Sequence, residues 1–136
     1  MIHCTHRVVD RYESPQSAVF LDRDGTLTEY RGFITEPSQI QLCDGTCEAI
    51  HSLRSAGFAI VLITNQSAIG RGMINYNQLH AIHTELVAQL AAGNANLEAI
   101  YCCPEAPIGS DESIVEGQDR KPGPGMLLTA AKDLNL

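Results

Sequence analysis

The sequence predicts an α/β fold, a Rossmann-like three-layer αβα sandwich with a parallel sheet. Three observations carry that prediction. Apolar runs of strand length alternate with segments of helical period, as βαβ units with right-handed crossovers require. One run, "FAIVLITN", is apolar almost without a break, the pattern of a central parallel strand covered on both faces. The polar clusters follow the apolar runs, at the carboxyl ends where open α/β sheets bind ligands.

Each element follows in order. Residues 1–17 are polar and end in "ESPQS", which predicts an N-terminal arm, mobile or laid along an edge, ahead of a domain that begins at residue 18. "AVFL" is a short buried strand that stops at "DRDGT", where Asp-Gly marks a tight turn. "GTCEAIHSLRSAG" puts Ile50 and Leu53 at helical spacing and closes on Gly57. After the "FAIVLITN" strand, "NYNQLHAIHTELVAQLAAG" aligns Leu79, Ile82, Leu86 and Leu90 on one stripe, with Asn75 as N-cap and Gly93 as stop. "LEAIYCC" is a third strand, and "GMLLTAAKDLNL" opens a third helix. The chain carries no internal repeat and no low-complexity segment.

Composition narrows the partners. At 136 residues the chain is one domain's worth, 44% apolar, with a formal net charge of -7. Nine Lys and Arg spread along such a chain make no phosphate-tracking stripe, so no nucleic-acid partner is expected. A small phosphorylated ligand needs only a few local donors and remains open. No apolar run approaches membrane-spanning length and the N-terminus lacks a signal peptide's apolar core, so no membrane partner is expected. The 5 cysteines are irregularly spaced and do not form a disulfide framework, which points to a reducing, cytoplasmic setting.

The chemistry sits in three clusters. In an extended segment Asp22 and Asp24 point to the same side, with Arg23 between them. Two such carboxylates need a cation or a shared proton, and Mg²⁺ binds in this way while keeping sites for water and phosphate oxygens. A carboxylate also attacks phosphorus directly, and a second one serves as general acid and then base. The alternative reading of "DRDGT" is a plain polar turn. Thr64 and Asn65, in "ITNQS", offer a hydroxyl and an amide at a strand end. Read alone, they are a capped strand-to-helix turn. Lys121 is a point charge able to bridge a nucleophile and phosphoryl oxygens, or else part of a solvated turn. Phosphate monoesters need accelerations of up to ~10²¹, and one electrostatic donor supplies only about 3–4 kcal/mol. The three clusters therefore have meaning together, in one crevice.

In this order the motifs resemble the haloacid dehalogenase-like superfamily of aspartate-nucleophile phosphatases, over residues 18 to 134. "VFLDRDGTL", "ITNQSAIGRG" and "RKPGPGML" look like its D-glycero-D-manno-heptose 1,7-bisphosphate 7-phosphatase branch. The histidinol-phosphatase branch shares "DRDGTL" and "TNQ" but usually lacks the continuation at residues 67–72. The resemblance implies a Mg²⁺-dependent phosphatase acting on a small phosphorylated sugar through an aspartyl-phosphate. It implies Asp22 as nucleophile and Asp24 as general acid/base, both holding Mg²⁺, Asp24 through its backbone carbonyl. Thr64 and Lys121 would stabilise the phosphoryl group. Arg23, Tyr30, Arg31, Gly32, Phe33, Asn65, Gln66, Ser67 and Arg120 would recognise the substrate.

Two departures from the pattern stand out. The superfamily's fourth motif, Gly-Asp followed by another acidic residue, completes the Mg²⁺ site on a later strand, and the sequence stops at Leu136 before it. The expectation is the N-terminal part of such a domain, C-terminal strands missing, with its first strand an exposed edge, and either a monomer or a weak homo-oligomer formed through that edge. Weak Mg²⁺ binding and slow or absent hydrolysis are expected of this chain alone, and a catalytically silent phospho-ligand-binding fragment is the competing reading. The second departure is in "YCCPEAPIGSDESIVEGQDRKPGPGM". Relatives often carry a zinc cage here, but only Cys103 remains in place, with Glu105, Gly117 and Asp119 at the other ligand positions. Structural zinc needs four good ligands, and Cys102 points to the opposite face from Cys103, so no structural Zn²⁺ is expected.

Other conspicuous residues take plainer readings. His3, Cys4 and His6 lie in the arm and would at most pick up metal incidentally. Cys43 and Cys47 straddle a helix start as core or boundary residues. His51, His80 and His83 lie on helices away from the strand ends, in surface or packing roles.

Overall fold

A computed structural model describes residues 1–107 and 117–136. The acidic stretch at residues 108–116, and with it the question of what orders the loop between Cys103 and Arg120, lies outside the described residues.

The sheet has four strands, β1 (His3–Arg7), β2 (Ala18–Leu21), β3 (Ala59–Asn65) and β4 (Ala99–Cys103), in the order β1-β4-β3-β2. β2 pairs with β3 and β3 with β4 in parallel, as βαβ units demand. β1 departs from the expected all-parallel sheet: it runs antiparallel to β4, with a register shift between Cys4 and His6. His3, Cys4 and His6 are therefore not in a loose arm; they lie in a paired edge strand, and the His3 ring stacks on Tyr76 at 3.9 Å. β2 forms the other edge of the sheet.

The helices are α1 (Thr46–Ser55), α2 (Tyr76–Ala92) and α3 (Gly125–Leu134). Strand alternation divides the core into two layers. Ile60, Leu62, Ile100 and Cys102 face Ile50 of α1 and the stripe Leu79, Ile82, Leu86 and Leu90 of α2. Val61, Ile63, Ala99, Tyr101 and Cys103 face Met126, Ala130 and Leu134 of α3. Cys102 and Cys103 thus lie on opposite sides of the sheet. β3 is buried along its length up to Asn65, which explains its unbroken apolar sequence.

Local sequence sets the helix ends. Asn75 accepts from the Gln78 backbone N–H while the Gln78 side chain accepts from Asn75 N, a reciprocal box that stabilises α2 by about 1 kcal/mol. At the foot of β3 the buried Glu98 carboxylate is met by Arg54 and by Ile60 N. A buried charge is tolerated only with such partners.

Candidate active site

The loop after β2 is folded around one carbonyl. The Arg23 oxygen accepts from the backbone N–H groups of Thr26, Leu27 and Thr28 at 3.2, 3.0 and 3.1 Å, and from Thr28 Oγ1 at 3.2 Å. Gly25 sits at φ 77°, a conformation that L side chains rarely adopt, and its N–H closes the turn on Thr28 O at 2.8 Å. This tight turn holds Asp22 and Asp24 at the carboxyl edge of the sheet.

Asp22 Oδ1 accepts from Arg23 N at 2.8 Å and from Lys121 Nζ at 3.0 Å. Both bonds fall on one oxygen, so Oδ2 has no partner among the described residues. The Asp24 carboxylate is gripped by Arg23, with Nε on Oδ1 at 2.9 Å and Nη2 on Oδ2 at 3.1 Å, and Gln66 Nε2 approaches Oδ2 at 3.4 Å. Gln66 Nε2 also donates to the buried Thr64 Oγ1 at 2.8 Å.

The "RKPGPG" segment brings its charge from far along the chain. Lys121 Nζ reaches Ile63 O at 3.0 Å as well as Asp22. Asn65 holds the Lys121 backbone from both sides, donating to its carbonyl at 3.1 Å and accepting from its N–H at 3.0 Å. Gly123 permits this compact path: a Cβ there would lie 2.5 Å from Gly117 O and 2.6 Å from Gln118 O.

Asp22, Arg23, Asp24, Tyr30, Gly32, Phe33, Ile34, Asn65, Gln66, Ser67 and Arg120 surround a cavity of about 300 Å³, at the small end of ligand pockets. Thr64 and Lys121 lie just behind its wall, joined to it through Gln66 and Asp22. Arg31 is not part of the lining; it is exposed and bonds to Gln41. Ile34 is an unanticipated wall residue. Arg23 was expected to meet the substrate, yet its side chain is 1% exposed and its three guanidinium nitrogens are taken by Asp24 and by His83. Arg120 is the opposite case. It is 8% exposed, and its Nη1 is a buried nitrogen without a hydrogen-bond partner among the described residues. An unpaired buried guanidinium nitrogen at a cavity wall is a ready donor for an anion.

His83, expected in a surface or packing role on a helix away from the strand ends, is a packed helix residue that lies against the loop after β2. It is 1% exposed, and its Nε2 lies 3.1 Å from Arg23 Nη1, directly behind Asp24. Desolvation first, then the neighbouring Arg23 charge and the more distant His80 and His6, hold its pKa down to about 3. A signal was present: His83 lies four residues after Leu79 and three before Leu86, on the buried stripe of α2.

The zinc-cage positions pair with one another and with the chain start. Cys103 Sγ donates to Glu105 Oε2 at 3.3 Å, and burial pushes the Cys103 thiol up to about 11. Glu105 also meets the Met1 amino group, which lies 3.4 Å from Asp119. Among the described residues no group of three or more His, Cys, Asp or Glu side chains is placed to hold a metal. Two carboxylates alone suit Mg²⁺, which takes most of its ligands from water and phosphate. The donor set fits that ion: Asp22 lines the cavity with Oδ2 unbonded among the described residues, and no backbone N–H among the described residues bonds to the Asp24 carbonyl.

Residues 17–136 match the family model described as polynucleotide kinase 3 phosphatase, and two solved structures that resemble this fold are phosphatases, one of them described as HAD-like. The chain belongs to the haloacid dehalogenase-like phosphatases. Within that family it is 41% identical over 121 residues to the D-glycero-beta-D-manno-heptose-1,7-bisphosphate 7-phosphatase of Pasteurella multocida, covering 89% of this chain and 66% of the relative. The enzyme of the same description from Escherichia coli K12 is 40% identical over 120 residues, covering 88% and 63%. The D,D-heptose 1,7-bisphosphate phosphatase of B. bronchiseptica, solved with magnesium and phosphate, aligns at TM-score 0.76 and 32% identity over 88% of this chain and 64% of that one. A HAD-like phosphatase from Mesorhizobium loti aligns at TM-score 0.86 and 28% identity over 98% and 64%. The chain thus spans about two thirds of the length of these family members. No helix among the described residues is long and apolar enough to cross a membrane.

Proposed function

We propose that the chain forms the nucleophile-bearing part of a Mg²⁺-dependent phosphatase for a small phosphorylated sugar, with D-glycero-D-manno-heptose 1,7-bisphosphate as the leading substrate. The observation that carries this reading is Asp22: it lines the cavity, one carboxylate oxygen is held by Lys121 at 3.0 Å, and the other has no partner among the described residues. Kinship to heptose bisphosphate phosphatases at about 40% identity supports the substrate class.

In this reading Asp22 Oδ2 attacks phosphorus and forms an aspartyl-phosphate, while Asp24 delivers a proton to the departing sugar oxygen. Asp24 then takes a proton from the water that hydrolyses the acyl phosphate. Lys121, held 3.0 Å from Asp22, would offset charge on the phosphoryl oxygens, with Thr64 supporting through Gln66. The Asp22 carboxylate, through the oxygen that does not attack, and the Asp24 carbonyl would hold Mg²⁺, which would neutralise charge on the phosphate. Arg120 supplies the anion donor for a substrate phosphate, and Tyr30, Phe33 and Ser67 wall the sugar side of the cavity. Asn65 acts through Lys121, Arg23 acts through Asp24, and neither contacts the sugar. The chain acts as one domain from residue 18, with β1 packed on its edge.

Parallel assays of Mg²⁺-dependent phosphate release from heptose bisphosphate and histidinol phosphate test the reading, with Asp22→Asn as control. Slow release that prefers the heptose ester and is abolished by Asp22→Asn is expected of a chain that spans about two thirds of its relatives. Preference for histidinol phosphate would replace the substrate. A chain that releases no phosphate and is not trapped at Asp22 by a beryllium fluoride complex would be a silent binding module.

A further inference from the structure

A buried guanidinium sits behind the acid/base carboxylate, and the way it is satisfied has a consequence. Arg23 and His83 are each 1% exposed. Two of the Arg23 nitrogens are spent on Asp24, and Nη1 faces His83 Nε2 at 3.1 Å. Arginine has donors and no acceptor, so Nε2 must present a lone pair. A neutral imidazole then carries its proton on Nδ1. Nδ1 lies 2.8 Å from Thr5 Oγ1, which accepts that proton's hydrogen bond. The Thr5 hydroxyl is left to donate towards Cys102 Sγ at 3.9 Å. A chain of bonds therefore runs from β1 through α2 to the nucleophile loop.

We propose that His83 is a positioning residue for Asp24: held as the Nδ1–H tautomer by Thr5, it accepts from Arg23 and so fixes the fork that orients the Asp24 carboxylate. The inference rests on the reading of Asp24 as acid/base. It also gives β1 a part in the site, since the strand supplies Thr5. The depressed basicity of His83 agrees with a neutral ring, because a charged one would point a second N–H at Arg23.

Two measurements test it. Nitrogen-15 NMR of the chain reads the geometry without turnover. The expected result is a neutral His83 with its proton on Nδ1. A protected Arg23 Nε–H signal should appear in the wild type and in His83→Gln, whose amide oxygen reaches the Nε2 position, and broaden in His83→Leu. A His83 proton on Nε2, or an Arg23 signal unchanged in His83→Leu, would overturn the proposal. In phosphate-release assays His83→Leu should lower kcat by about 10- to 100-fold with KM little changed, and His83→Gln should restore most of it. Thr5→Val, close in shape, should fall between them and supplies a folded comparison if His83→Leu does not fold. Wild-type kcat in His83→Leu would also overturn the proposal. If the wild type releases no phosphate, the phosphatase reading fails separately, and the NMR signals still decide whether His83 holds Arg23.

Discussion

Asn65 and Lys121 are tied by two reciprocal hydrogen bonds across 56 residues of sequence: the Asn65 amide donates to the Lys121 carbonyl at 3.1 Å and accepts from the Lys121 N–H at 3.0 Å. The last residue of β3 is thereby fastened to the loop that carries the site's ammonium. A side-chain amide is well suited to the task, because it offers a donor and an acceptor in one plane, as a backbone peptide does.

Asn65→Ala removes both bonds and should uncouple Lys121 from the strand. The expected cost is about 1–3 kcal/mol of stability, read by urea unfolding, together with at least tenfold weaker inorganic phosphate binding, read by titration. Unchanged phosphate affinity in a folded Asn65→Ala protein would mean that the loop holds Lys121 in place by itself.

Arg120→Met should separate stability from binding. The variant removes a buried nitrogen that lacks a partner among the described residues and keeps the apolar stem, so stability should hold or rise by about 1 kcal/mol. Phosphate affinity should fall in the same protein. A variant that is clearly less stable would show Arg120 to be a structural side chain.

Stability should depend on pH through His83. Its folded pKa, about 3, lies below its ordinary value of 6.5. The unfolded state therefore binds the proton first as pH falls. The stabilisation is complete above pH 6.5 and is lost progressively as pH drops from there towards 3. Urea midpoints at about pH 7.5, 6 and 5, spanning the ordinary imidazole range, should fall in the wild type and stay flatter in His83→Gln. Parallel slopes would show that carboxylates alone set the acid sensitivity.

Gly123→Ala tests the packing of the charged loop. The added Cβ would come 2.5 Å from Gly117 O and 2.8 Å from Arg120 O, and backbone atoms cannot move aside cheaply. A loss of about 1–3 kcal/mol by thermal or urea unfolding is expected, with weaker phosphate binding as Arg120 and Lys121 shift.

Much of the fold was legible because it is written in local periodicity. The stripe Leu79, Ile82, Leu86 and Leu90 is buried as its spacing requires, and Asn75 caps the helix that it precedes. The strand ends bring residues 22–26, Thr64 and Lys121 to one edge, because parallel strands joined by helices share a direction. The direction of β1 was not legible: five mixed residues at a sheet edge carry no alternation strong enough to reveal a partner. The parts of Arg23 and His83 were hidden for a related reason. A polar residue in a motif looks like a ligand contact until its burial is known.

The sequence by itself determined the order of the three parallel strands and the three helices, the paired carboxylates after the first parallel strand, and the family. These follow from side-chain period, turn chemistry and motif spacing, all of which are short-range. Only the tertiary structure decided which groups each charge serves. It places Lys121 against Asp22, leaves Arg120 Nη1 buried without a partner among the described residues, and joins Thr5, His83 and Arg23, separated by 78 and 60 residues, behind Asp24. Such pairings depend on how layers pack and which polar atoms packing leaves in need of partners, and no local pattern encodes that.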